Sequence, residues 1–139
     1  KVGGADTHRF ALDDMVLIKD NHIAACGTPI EALLRAKANV SFSKKIEIEV
    51  ESLDDAVDCV RNGADIVMLD NMNPDEVCEV IDELNRLNIR RNSLIEVSGG
   101  ITEETILEYA NLDVDIISIG ALTHSTRSLN FSLKMESQP

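Results

Sequence analysis

Short apolar runs rich in branched side chains recur along the chain, and between them apolar residues return at intervals of three and four. The runs occupy residues 15–19, 45–50, 66–70, 94–98 and 116–120. The second and fourth alternate apolar with polar positions, whereas the third and fifth are nearly continuous, as buried parallel strands tend to be. Helix starts fall between them. Thr28-Pro29-Ile30-Glu31 sets a capping threonine before a first-turn proline and a glutamate, and Asn73-Pro74-Asp75-Glu76 repeats that arrangement. Ser52-Leu53-Asp54-Asp55 is a weaker capping box, and Thr102-Glu103-Glu104 offers a cap with two first-turn carboxylates. After Asn73, the residues Val77, Val80, Ile81, Leu84 and Leu87 form one apolar stripe suited to packing on a sheet.

Strand and helix thus alternate, which predicts an α/β fold of parallel strands covered by helices. An open sheet or part of a (β/α) barrel would satisfy the pattern. A complete eight-unit barrel needs about 250 residues, so five strands in 139 residues predict a partial, TIM-like barrel of about five strands. Lys1-Val2-Gly3-Gly4-Ala5-Asp6 opens without methionine and leads directly into a polar cluster. The expectation is that residues 1–139 are one partial-barrel catalytic domain, a piece of a longer enzyme.

Composition narrows the function. Twenty-five acidic against thirteen basic residues give a formal charge of −12, with 3% aromatic residues and no tryptophan. A nucleic-acid surface needs a Lys/Arg footprint and base-stacking rings, so nucleic acid is not an expected partner. No apolar stretch is long enough to span a bilayer and no signal-peptide pattern opens the chain, so no membrane association is expected. Cys26, Cys59 and Cys78 are widely spaced and form no CxxC, which favours a reducing, cytoplasmic setting over a disulfide framework or a zinc site.

Ligands of parallel α/β proteins bind beyond the carboxyl ends of the strands, and every run here ends in polar or small residues. Glu47 and Glu49 share one face of their strand, and with Asp70 on the next they offer oxygen donors that suit Mg²⁺ better than zinc. A salt-bridged or solvated pair of glutamates is the competing reading. Ser98-Gly99-Gly100-Ile101-Thr102 leaves a small-residue gap between strand and helix where backbone N–H groups can meet a phosphate, and Gly120-Ala121 makes a second gap beside it. Neither the P-loop string nor the three-glycine dinucleotide fingerprint is present.

The bases are few and therefore informative where they cluster, and His8-Arg9, Lys19 and His22 fall within the first 22 residues. Lys19 ends an apolar strand and needs an anion, either substrate carboxylates or Asp13, Asp14 or Asp20. Arg9 can grip a carboxylate with two prongs and His8 can add a directional hydrogen bond. His124, followed by Ser125, can reach a phosphate or a leaving group. No nucleophile relay is evident. The inventory is carboxylates for a metal, backbone amides for a phosphate and a basic pocket for an acid, which points to transfer chemistry on a phosphorylated substrate.

The residues that carry this chemistry also form ordered strings: Gly3-Gly4-Ala5-Asp6-Thr7-His8-Arg9, Leu12-Asp13-Asp14-Met15-Val16-Leu17-Ile18-Lys19-Asp20-Asn21-His22, Glu47-Ile48-Glu49-Val50-Glu51, Met68-Leu69-Asp70-Asn71-Met72, Ser98-Gly99-Gly100-Ile101-Thr102 and Ser118-Ile119-Gly120-Ala121-Leu122-Thr123-His124-Ser125. Together they resemble the carboxylating nicotinate-nucleotide pyrophosphorylase family, also called quinolinate phosphoribosyltransferase, from end to end.

The resemblance implies a two-domain enzyme of NAD biosynthesis whose N-terminal α/β sandwich accompanies an incomplete (β/α) barrel. It implies conversion of quinolinate and 5-phosphoribosyl 1-diphosphate, with Mg²⁺, into nicotinate mononucleotide, diphosphate and CO₂. His8, Arg9 and Lys19 would hold the quinolinate carboxylates, while Glu49 and Asp70 would sit by the ribose and the metal-bound diphosphate. Ser98, Gly99, Gly100, Gly120 and His124 would serve the phosphoribosyl end. Lys19, Glu49 and Asp70 are the catalytic expectation, and Glu49 and Asp70 the metal expectation. The resemblance further implies at least a homodimer, a sandwich domain and first barrel segment lying outside these residues, and no turnover by this chain alone. A phosphoribosyltransferase acting on nicotinate or another aromatic acid, or a non-enzymatic module binding a phosphorylated metabolite, are the alternatives.

Overall fold

The computed structural model of the chain describes residues 2–124 and 128–135. Lys1 and Ser125, named in the motifs above, lie outside the described residues. Five strands, β1 (Val16–Ile18), β2 (Ile46–Val50), β3 (Ile66–Asp70), β4 (Leu94–Ser98) and β5 (Ile116–Ile117), alternate with helices α1 (Asp20–Cys26), α2 (Pro29–Asn39), α3 (Leu53–Arg61), α4 (Pro74–Arg86), α5 (Ile106–Ala110) and α6 (Ala121–His124). All neighbouring strands pair in parallel and in the order β1-β2-β3-β4-β5. A doubly wound sheet reverses its strand order at a switch point. Here the order never reverses, which selects the partial TIM-like barrel from the two architectures compatible with the sequence.

Period-two alternation divides the sheet into two unlike faces. Ile46, Ile48, Val50, Val67, Leu69, Ile95 and Val97 point to one side and join Leu33, Val60, Val77, Val80 and Leu84 from the helices in one buried core. Burying such side chains stabilises the fold by about 1.5–3 kcal/mol each relative to exposure. The other face carries Glu47, Glu49, Met68, Asp70, Glu96 and Ser98, the side a closed barrel encloses.

The caps form as the residue types dictate. Thr28 Oγ1 accepts from Glu31 N at 3.2 Å, Ser52 Oγ accepts from Asp55 N at 3.2 Å, and Asn73 Oδ1 accepts from Asp75 N and Glu76 N at 3.0 and 3.1 Å. Two helices depart from the sequence reading. Residues 20–26 form α1 directly after β1, where only a polar strand end was expected, because Lys19 N donates to His22 Nδ1 at 3.0 Å and closes a first turn. Helix α5 starts at Ile106 rather than beside Thr102, whose hydroxyl accepts from Glu104 N at 3.2 Å and holds the intervening residues in turns. Strand β5 is also short, ending at Ile117, although Ser118 N still donates to Val97 O at 2.9 Å.

Charge at the amino ends of the strands is paired. Asp65 Oδ2 accepts from Ile46 N and Asp115 Oδ2 from Ile95 N, both at 2.8 Å, so each carboxylate extends the ladder of the preceding strand. Arg90, only 3% exposed, donates from Nε to Asp113 O and from Nη2 to Asp115 Oδ2, both at 2.9 Å. No described helix is long and apolar enough to cross a membrane.

Candidate active site

The carboxyl ends of β1 to β4 bring most of the sequence-predicted residues together in three adjoining groups. In the first, Lys19 Nζ donates to Glu49 Oε2 at 2.6 Å. Lys19 therefore takes its anion from the neighbouring strand, and not from Asp13, Asp14 or Asp20. This hydrogen bond holds the Lys19 ammonium above its ordinary range, with the negative charges of Glu49, Asp70 and Asp20 acting in the same direction. The Glu49 side chain is 12% exposed and Lys19 48%, so the pair stands at the rim of the inner face.

Asp70 and Ser98 are register partners at the ends of β3 and β4 and open the second group. Asn71 Nδ2 donates to Asp70 Oδ2 at 2.6 Å, and Asn71 N donates to Ser98 O at 2.9 Å. Asn71 is left-handed at φ 54°, and Gly99 and Gly100 follow β4 at φ 90° and 63°. A Cβ on Gly99 would lie 2.8 Å from Asn71 N, so only glycine allows the two turns to approach so closely. Gly120 precedes α6, and a Cβ there would come 3.0 Å from His124 Nε2. Both small-residue gaps form. The shortness of α5 and its later start leave backbone groups of the Gly99-Gly100 turn, not a helix end, as the candidate phosphate contacts.

The third group differs from the sequence expectation. Glu47 and Glu96, from β2 and β4, are fully buried. His8 Nε2 lies 3.2 Å from Glu47 Oε2 and 3.6 Å from Glu96 Oε2, and Ser118 Oγ donates to Glu96 Oε1 at 2.6 Å. Burial, with repulsion from Glu96, pushes the Glu47 carboxyl up to about 7, while His8 and Arg9 draw it partly back. The segment bearing His8 and Arg9 is shaped by Asp14, whose Oδ2 accepts from Phe10 N at 2.7 Å and Ala11 N at 2.9 Å. It is tied to the sheet by Lys44 Nζ, which donates to Asp13 O.

Glu96 was missed by sequence reasoning, although its place in the alternating run Leu94-Ile95-Glu96-Val97-Ser98 puts it on the face of Ser98 and, through the parallel ladder, of Glu47 and Glu49. Among the described residues, His8, Glu47 and Glu96 are the group of three donors whose spacing suits a metal ion. Glu49 and Asp70 offer hard oxygen donors of the kind Mg²⁺ takes, each with one oxygen engaged, by Lys19 and by Asn71.

A depression at the opposite, amino-terminal end of the strands is lined by Lys45, Asp65, Arg90, Arg91 and Asp115. Arg90 pairs there with Asp113 and Asp115 and Arg91 with Asp113, while Asp65 accepts from Ile46 N, which marks that end as structural.

Known proteins of similar sequence and fold match nearly the whole chain. The chain is 56% identical over 135 residues to the probable nicotinate-nucleotide pyrophosphorylase [carboxylating] of Methanocaldococcus jannaschii, covering 95% of this chain and 47% of that protein. It is 38% identical over 134 residues to the human nicotinate-nucleotide pyrophosphorylase [carboxylating], covering 96% and 44%. The crystal structure of NadC from Streptococcus pyogenes superposes with a TM-score of 0.84 at 44% identity, over 96% of this chain and 45% of that one. The chain spans about half the length of the curated relatives it matches. Residues 1–134 match the family described as Quinolinate phosphoribosyl transferase, C-terminal domain, and the chain belongs to that family.

Proposed function

We propose that this chain is the barrel portion of a two-domain phosphoribosyltransferase that joins quinolinate to 5-phosphoribosyl 1-diphosphate and releases CO₂. The observation that carries the reading is the Lys19–Glu49 pair standing beside Asp70 at the strand ends, with His8 and the half-buried Arg9 by Glu47 and the Gly99-Gly100 turn by Asn71. It combines a basic grip for a diacid with carboxylates placed for a cationic sugar.

In this reading Arg9, His8 and Lys19 bind the two carboxylates of the pyridine diacid and aim its ring nitrogen at C1 of the ribose. As the C1–O bond to diphosphate breaks, positive charge grows on the ribose ring, and Glu49 and Asp70 stabilise it. Mg²⁺, held by Glu49 and Asp70, would neutralise charge on the departing diphosphate. Backbone groups of Ser98, Gly99, Gly100 and Gly120, with His124, hold the phosphoribosyl end. The nitrogen's lone pair forms the new N–C1 bond and leaves a pyridinium. The adjacent carboxylate then leaves as CO₂, its bonding electron pair stays on the ring carbon, and a proton takes its place. Lys19 orients the group that is lost. In this reading the enzyme acts as a homo-oligomer of at least two chains.

The test supplies the full-length enzyme with carboxyl-labelled quinolinate, phosphoribosyl diphosphate and Mg²⁺. Release of labelled CO₂ with formation of the mononucleotide is expected. Binding of phosphoribosyl diphosphate with no label released would refute the reaction and favour a metabolite-binding module.

A further inference from the structure

The inner face buries more negative charge than its described neighbours satisfy. Glu47 Oε1 and Oε2 and Glu96 Oε2 are buried without a hydrogen bond, yet both side chains are completely shielded from solvent. Replacing a buried ionic group by an apolar one of similar volume is often neutral or stabilising. What the two carboxylates share is His8. They reach it from alternate strands, β2 and β4, and a closed barrel draws each layer of inward side chains from alternate strands. Their freedom is small, because Ser118 Oγ holds Glu96 at 2.6 Å and the inward side chain of the intervening strand, Met68, is itself buried. An imidazolium gripped at Nε2–H presents a second donor, Nδ1–H, on the other side of its ring.

Building on the reaction proposed above, we propose that Glu47 and Glu96 are positioning residues, which hold the His8 ring as an imidazolium by its Nε2–H so that its Nδ1–H is donated to a carboxylate of the pyridine diacid. The pair acts on affinity for the diacid and leaves the phosphoribosyl end untouched. Ser118 belongs to the same device one step further out.

The test measures quinolinate affinity by titration calorimetry and steady-state KM for both substrates in the full-length enzyme, for Glu47→Gln, Glu96→Gln and Ser118→Ala, each alone and with His8→Ala. Each glutamine variant is expected to weaken quinolinate binding about tenfold, the size typical of groups that orient a binding side chain. KM for phosphoribosyl diphosphate should stay within about twofold, and a second substitution should add little once His8 is gone. Ser118→Ala keeps both carboxylates and should give the same selective effect, about threefold, so the test survives a glutamine variant that fails to fold. Unchanged quinolinate affinity, equal losses for both substrates, or full additivity with His8→Ala would overturn the proposal. So would stoichiometric Mn²⁺ binding without substrates that is lost in Glu96→Gln and kept in Asp70→Asn, since that would make the cluster a metal site. Wild-type enzyme that binds quinolinate but releases no CO₂ removes the proposed reaction while calorimetry still decides the positioning role; failure to bind quinolinate overturns both.

Discussion

Glutamine at position 47 keeps the volume of the side chain and removes its charge. Burial and the nearby Glu96 push the Glu47 carboxyl from 4.5 to about 7. The folded chain therefore holds this proton more tightly than the unfolded chain does, and the carboxyl favours folding only while it is protonated. That contribution is complete below about pH 4.5, shrinks as pH rises through 7, and is gone above it. At about 1.4 kcal/mol per pH unit, the interval amounts to about 3 kcal/mol of stability.

Glu47→Gln never ionises and should escape the loss. Its amide also finds an acceptor that lacks a donor, Glu96 Oε2. The expected outcome is a gain of about 2–3 kcal/mol at pH 8, or roughly 7–10 °C in Tm for a chain of this size, and a change within about 0.5 kcal/mol at pH 4.5. Urea unfolding at pH 4.5, 6 and 8, without divalent cations or substrates, measures it. An equal effect at pH 4.5 and pH 8, or a loss of stability at pH 8, would refute the buried-charge account.

Three further substitutions probe other parts of the site and its support. Lys19→Ala in the full-length enzyme should lower quinolinate turnover at least about 10²-fold, read as labelled CO₂, and near-normal kinetics would remove Lys19 from the reaction. Gly99→Ala sets a Cβ against Asn71 N at a φ of 90°; it should cost about 1–3 kcal/mol in chemical denaturation and raise KM for phosphoribosyl diphosphate more than KM for quinolinate. Arg90→Met strips a buried cation from Asp113 and Asp115 at the far end of the strands, and should lower stability by roughly 2–4 kcal/mol while kcat per folded molecule stays unchanged.

The strands and the long helices were legible because local and tertiary demands agree there. Asn73 caps α4 as its residue type requires, and Val77, Val80, Ile81 and Leu84 bury the stripe their spacing draws. Residues 20–26 were not read as a helix because their start relies on His22 turning back to Lys19 N, a cap outside the usual Ser/Thr/Asp/Asn set. The site was legible as an inventory of strand ends, and its pairings were not. Lys19 meets Glu49 across 30 positions of sequence, a distance that no local pattern reports. Glu96 escaped because a single carboxylate in an alternating strand looks like an exposed residue until the ladder sets it opposite a second buried one.

The amino ends of the strands and the inner face treat charge in opposite ways, and this bears on how a chain of net charge −12 would serve the two anionic substrates of the proposed reaction. At the amino ends Asp65, Asp115 and Arg90 are held by backbone groups or by each other. Within the inner face, part-way along their strands, Glu47 and Glu96 retain oxygens without a hydrogen bond, with His8 as their ion-pair partner. A chain that satisfies its polar groups at the strand starts and not within the inner face gives up stability where the proposed ligand is to be held. The surplus of acids does not oppose that ligand strongly. Residues 51–113 hold sixteen acids and four bases, and Asp75, Glu76, Glu79, Asp82, Glu103 and Glu104 among them are exposed. At physiological salt, charges more than about 8 Å apart across solvent are largely screened from one another. In the proposed reaction the groups that decide anion binding are therefore those within reach of it: Arg9, Lys19 and His8 for the diacid, and the cation that Glu49 and Asp70 would hold for the diphosphate.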